Sequence, residues 1–125
     1  MKLSAIVALL FGLFLAGAEA YRNWGDWQWW PFWVVDYVGA ALLIYGGARV
    51  LRGGTKAWLT GGWGFTTAMF YMSFFSHIER LRTETGLTYG PDGSLSEDRL
   101  TQAIGLMLAI AALSFVMALW GRNKG

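Results

Sequence analysis

Three stretches of this chain, Trp30–Leu51, Ala57–Ile78 and Leu100–Trp120, are each apolar for the length of a bilayer crossing. About 30 Å of hydrocarbon takes about 20 helical residues at ~1.5 Å each, and all three qualify. None alternates polar and apolar residues with a period of two, which argues against a β-barrel. The expected class is therefore all-α and polytopic, an integral protein of bacterial inner-membrane type. Composition agrees: 55% of the 125 residues are hydrophobic and 14% are charged, whereas soluble domains average about a quarter charged. The length is that of one domain, 1–125.

A fourth run, Leu3–Ala20, has two readings. "MKLSAIVALLFGLFLAGAEA" carries one lysine, a short apolar core and the small-x-small ending Ala18-Glu19-Ala20 of a secretory signal peptide. It equally reads as a first transmembrane helix, with Gly12, Ala16 and Ala20 on a face suited to close packing. The expectation is four spans, or three if this run is cleaved. Helices are expected over about 3–20, 30–51, 56–84 and 95–120, with an outer loop over about 85–94.

Charge orients the spans. Lys2, Arg49, Arg52, Lys56, Arg122 and Lys124 cluster at one side, with no acidic residue among them. Glu19, Asp26, Asp36, Glu79, Glu84, Asp92, Glu97 and Asp98 all fall at the other side or in its half of the helices. Positive charge is retained in the cytoplasm, so both termini of the four-helix form are expected inside. Cleavage of the first run leaves this orientation unchanged.

Five of the eight tryptophans, Trp24, Trp27, Trp29, Trp30 and Trp33, sit where the chain enters the outer interface. Indole rings favour headgroup depth, so this segment reads as an aromatic belt, with a partner surface or a pocket for a flat ligand such as a quinone as the other readings. Trp58 and Trp120 take the same place at the inner side. Pro31 suits the first turn of the second helix, where its missing N–H is not needed.

In lipid, helices pack through small residues and polar contacts. The second run offers Asp36, Gly39, Ala40, Leu43, Gly46 and Gly47 on one face; the third offers Gly62, Thr66, Ser73 and His77. The short turn "RGGTK" joins them as an antiparallel hairpin in which these faces are expected to meet. Asp36 lies sixteen residues from Arg52, roughly 24 Å of helix, and His77 twenty-one from Lys56, roughly 32 Å. Asp36 is thus level with Met72 or Ser73, about one turn short of His77. An ionised group in hydrocarbon needs a partner and is a site by default. The candidate intramembrane site is therefore Asp36, His77, Ser73, Arg80 and Glu19, with Tyr37 and Gln102 beside it. Its two readings are a structural lock on the hairpin and a proton-responsive or ligand-binding pair.

Other chemistry is thinly represented. Without cysteine there are no disulfides or thiolate metal sites. The net charge of +2 includes no basic block that would track a nucleic-acid backbone. One histidine supports no catalytic triad, and "GGWG" is no phosphate loop. For haem, Met69 and Met72 share the histidine's helix and so cannot supply the opposite axial ligand within one chain. "DGSLSED" lacks the spacing of an EF-hand. In the outer loop, Pro91-Asp92-Gly93 suits a turn, and Ser94 with Glu97 resembles a capping box that starts the fourth helix near Leu95. No cofactor or metal is required by the sequence.

The leading expectation is a small non-catalytic membrane protein, an accessory or assembly subunit of a larger inner-membrane complex. Its partners would be the lipid bilayer and either that complex or further copies of itself. The alternatives are a small oligomeric transporter or channel with Asp36 as its coupling residue, and a pigment-, haem- or quinone-binding subunit acting through His77.

Overall fold

The structure, a computed structural model, describes residues 2–23, 29–83, 88–89 and 95–121. Four helices follow the apolar runs: α1 (Lys2–Asn23), α2 (Trp30–Leu51), α3 (Ala57–Thr83) and α4 (Glu97–Trp120). Ahead of α4, β1 (Thr88–Tyr89) pairs antiparallel with β2 (Leu95–Ser96), Tyr89 opposite Leu95. Apart from that short ladder the described residues are helical or in turns.

Successive helices run antiparallel. Between α1 and α2, Gly12 lies against Ala40 and Ile44, and Gly47 against Ala5. Between α2 and α3, Gly39 lies against Thr66 and Gly46 against Leu59. Between α3 and α4, Gly64 lies against Phe115, Gly105 against Phe74, and His77 against Glu97. Each interface pairs rising with falling residue numbers, which makes an up-down-up-down bundle. α1 packs on α2, α2 on α3 and α3 on α4, whereas α1 and α4 meet lightly.

The ends of the helices follow from local chemistry. α2 stops because Gly53 adopts φ +83°, a left-handed conformation open to glycine. Its neighbours then return to the last turn, with Gly53 N–H donating to Val50 O (3.0 Å) and Gly54 N–H to Arg49 O (2.7 Å). α4 starts at Glu97 rather than near Leu95, because Leu95 and Ser96 are taken into the ladder with β1. Ser96, in extended conformation, caps it by accepting from Arg99 N–H at 3.2 Å. The expected cap, Ser94, lies outside the described residues, and Glu97 uses its carboxylate elsewhere. At the other end of α4, Lys56 Nζ donates to Ala118 O (2.7 Å) and Gly121 O (2.5 Å), occupying carbonyls a helix end leaves unpaired.

The core is centred on Trp63, which is fully buried. Phe11 meets it edge-to-face at 5.3 Å and meets Phe70 at 5.8 Å, and Trp63 Nε1 donates to Ser4 Oγ at 3.3 Å. Leu43 and Leu59 complete this centre, both fully buried. The expected packing residues Gly39, Ala40, Gly46, Gly47 and Gly62 are all buried. They do not form one seam, however. Gly39, Gly46 and Gly62 face the α2–α3 interface, while Ala40 and Gly47 face α1. α2 is the inner member of two interfaces, and a helix in that position needs small residues on two sides.

α1, α2 and α4 are long and apolar enough to cross a membrane. The first run, ambiguous in sequence, is thus one of the three. α3 has ample length at 27 residues, but the composition expected to carry it across is diluted by Thr60, Thr66, Thr67, Ser73 and Ser76. Its neighbours absorb part of this polarity: Thr66 is fully buried, and Thr67 Oγ1 donates to Trp63 O at 2.7 Å.

The interface at Gly46 is testable. A Cβ there would lie 2.5 Å from Leu59 N and 2.6 Å from Leu59 Cα, so Gly46→Ala should destabilise by about 1–3 kcal/mol. Gly61→Ala, whose Cβ meets nothing within 4 Å, should be neutral or stabilise by up to ~1 kcal/mol. Thermal midpoints in detergent read both, and equal midpoints would place Gly46 against lipid instead.

Candidate functional site

The acids and cations of the candidate site gather at the end of the bundle opposite the RGGTK turn, in two clusters. Between α1 and α2 the centre is Glu19, which is 4% exposed. Asn23, one turn on, donates its amide to Glu19 Oε1 at 2.7 Å and to Glu19 O at 2.9 Å. Arg22 Nη1 approaches Glu19 Oε2 at 3.7 Å. From α2, Asp36 stands beside Glu19 and Arg22. Tyr37 adds a hydrogen bond from its hydroxyl to Ala16 O at 3.3 Å. Residues 16, 19 and 23 fall on one face of α1 through the helical repeat, and that face is the one turned to α2.

Between α3 and α4, His77 Nδ1 meets Glu97 Oε1. Both residues are buried, and Glu97 Oε2 is buried with no hydrogen-bond partner. Thr101, one turn into α4, donates to Glu97 O at 2.8 Å. A carboxylate on Nδ1 fixes the orientation of an imidazole and leaves Nε2 as its other functional atom.

Asp36 and His77 are therefore drawn to different partners, Glu19 and Glu97. What they share is a cavity of about 390 Å³, lined also by Arg22, Ser73, Ser76 and Arg80. Four of the five candidate residues, Asp36, His77, Ser73 and Arg80, stand together around it, and Glu19 stands behind Asp36. Gln102 does not join them: it is exposed on α4, because Glu97, Thr101 and Ile104 occupy the inward face and residue 102 falls off that stripe. Three participants went unassigned in the sequence. Asn23 was signalled by its spacing of four from Glu19. Arg22 stands next to the same stripe. Glu97 was signalled by being an acid in the first turn of a helix antiparallel to the one carrying His77.

Of the aromatic residues, Trp29 and Trp30 are well exposed, as an interfacial belt requires. Trp33 is half-buried and stacks edge-to-face with Tyr37 at 5.9 Å. Trp24 and Trp27 lie outside the described residues. Among the described residues no three His, Asp or Glu side chains form a group that would hold a metal ion. Comparison with protein-family models, with curated proteins and with solved structures returns no match for this chain.

The His77–Glu97 contact generates a prediction. His77→Ala and Glu97→Ala should each destabilise by about 1–3 kcal/mol, because each leaves a buried polar group unpaired. The double variant should lose less than the two added together. Thermal or denaturant unfolding in detergent measures all three, and strictly additive losses would show that the pair is not a working contact.

Proposed function

We propose that this chain is a four-span integral membrane protein of the bacterial inner membrane, with both termini in the cytoplasm. Its role is that of a non-catalytic accessory or assembly subunit of a larger complex. The observation that carries this reading is how the polar side chains between helices are used. Glu19 with Asn23 and Asp36, His77 with Glu97, Trp63 with Ser4 and Lys56 with the end of α4 each tie one part of the bundle to another. Polar groups placed in this way fix the mutual positions of helices in lipid, and a fixed bundle is what a scaffold subunit presents to its partners. The exposed Trp29, Trp30 and Phe32 rim supports the same reading, since aromatic residues are favoured at protein contacts as well as at headgroup depth.

A small transporter or channel is the second reading, favoured by one observation: Asp36 lines two cavities, one between α2 and α3 and a second, of about 380 Å³, where α1 and α4 meet. An ionisable residue reachable from two sides is what coupling to an ion or proton requires. In this reading Asp36→Asn abolishes transport in proteoliposomes while the protein remains folded, and unchanged transport would remove Asp36 from the mechanism.

The native lack of cysteine makes the topology directly measurable. Thr55→Cys, in the RGGTK turn, should be labelled by a membrane-impermeant maleimide only after the cells are opened. Asp98→Cys, exposed at the start of α4, should be labelled in intact cells. The reverse pattern would invert the orientation. Extraction from the native membrane in mild detergent, followed by native mass spectrometry, tests the role itself. Larger subunits should co-migrate with the chain, whereas a bare homo-oligomer would put the transporter first.

A further inference from the structure

The end of the bundle at the RGGTK turn carries an organised cationic surface. Tyr45, Arg49 and Arg52 follow one another at helical spacing along α2, and all three are exposed. Trp58, in the first turn of α3, meets the Tyr45 ring edge-to-face at 5.3 Å. Arg49 lies over the same ring, 5.7 Å from its centre, and donates from Nη1 to the Tyr45 hydroxyl at 3.0 Å. This contact holds the guanidinium in place without neutralising it, and it uses one of five N–H donors. Among the described residues no carboxylate pairs with Arg49 or Arg52. None stands at their level either. On α2 the nearest acid, Asp36, is thirteen residues from Arg49, roughly 20 Å of helix; on α3 Glu79 is twenty-one from Trp58, roughly 32 Å. Beyond the two rings the surface turns apolar, with Val38 of α2 and Phe65 of α3 exposed. Between Trp58 and Phe65 stands Gly61, where an added Cβ would meet nothing within 4 Å. A low place is thus left between two exposed rings.

We propose that this surface binds one anionic phospholipid of the cytoplasmic leaflet, with its phosphodiester on Arg49 and Arg52 and an acyl chain over Gly61 between Trp58 and Phe65. The charges select this class. A zwitterionic headgroup would bring an ammonium beside two arginines where no described acid could receive it. A phosphodiester without that ammonium supplies the counter-charge both arginines lack, and the planar donor set of arginine suits phosphate oxygens. The start of α3 adds to this. It begins at Ala57 with no acidic residue in its first turn, so the positive end of its dipole also lies at this level. Basic residues on the cytoplasmic side attract anionic lipid in general. Here the guanidinium pinned on Tyr45 gives that attraction a fixed place. Trp58 and Tyr45 suit headgroup depth, and Val38 and Phe65 continue from them as apolar surface toward the acyl chains. That continuity favours a lipid over free phosphate, which would leave the apolar part without an occupant.

This inference rests on the membrane reading, and the experiment separates the two. The full chain, stripped of endogenous lipid, is offered an equimolar mixture of phosphatidylglycerol, phosphatidylethanolamine and phosphatidylcholine with identical acyl chains. Bound lipid is counted by native mass spectrometry. One phosphatidylglycerol per chain is expected, favoured by about tenfold or more over the other two. Arg49→Gln and Arg52→Gln should each lower that preference by about fivefold. Both positions are exposed, so the fold tolerates the change. Gly61→Leu fills the low place from a lipid-facing position and should weaken binding while the arginines stay intact. Lys2→Gln removes a cation at the same end but on α1, and should leave the preference unchanged. A loss with Lys2→Gln equal to that with Arg49→Gln would show a diffuse positive surface and overturn the proposal. Equal retention of the three lipids, or displacement of the bound lipid by inorganic phosphate, would overturn it as well. A chain that remains in aqueous solution without detergent would overturn the membrane reading and this inference with it. A chain that enters bilayers yet shows no headgroup preference would overturn this inference alone.

Discussion

Inside hydrocarbon a carboxylate, an imidazole or an indole N–H has no water to turn to, and each must find its partner within the protein. That requirement sets the order of this bundle. Ser4 of α1 accepts from Trp63 of α3, Glu19 of α1 meets Asp36 of α2, and Glu97 of α4 meets His77 of α3. Moving any one helix by a turn would strand a polar group on each side of its interface. The α2–α3 interface is built differently. There Gly46 and Gly62 bring the two backbones together, so that contact area and dispersion replace the polar clasp.

The two ends of the bundle differ for related reasons. At the RGGTK end, a left-handed Gly53 turns the chain within a few residues and Lys56 binds the last carbonyls of α4. That end is closed by backbone geometry and one cation. At the opposite end the polar side chains are longer and paired sideways, and both cavities open there. Pairing Asp36 with Glu19 and His77 with Glu97 draws α2 toward α1 and α3 toward α4. The space between the two couples is what remains, and Arg22, Ser73 and Arg80 line it. The cavity follows from how the polar side chains are paired.

Much of this was legible in the residues. Helix number and approximate limits followed from the apolar runs, and the small face of α2 named its buried glycines. Asp36, Ser73, His77 and Arg80, grouped from helical spacing, line one cavity. The pairing within it was not legible, because helical spacing fixes which face a residue occupies and says nothing of rotation between helices. Asp36 and His77 were matched by counting along one hairpin, whereas each found a nearer acid on the helix outside it. Glu97 escaped because an acid three residues after Ser94 resembles a cap, and the β1–β2 ladder that moved the helix start to Glu97 left no pattern in so short a segment. Trp63 escaped for the opposite reason. Tryptophan in a membrane chain suggests an interface, and only the three-dimensional packing shows one of the eight as the centre of the core.

The first run shows what packing adds to composition. A signal peptide and a short transmembrane helix share a lysine, an apolar core and small residues at the end. The difference lies in what the remainder of the chain would lose. Without residues 2–20, Trp63 Nε1 would lack Ser4, Asp36 would lack Glu19, and Phe11 would leave a void between Trp63 and Phe70. Each buried polar group left unpaired costs about 1–3 kcal/mol, and deletion of a buried phenylalanine side chain about 3–5 kcal/mol. Gly47, whose Cβ would lie 2.7 Å from Ala5 O, would also have no backbone to accommodate. Trp63, Asp36 and Gly47 in α2 and α3 thus carry features that are complementary to α1.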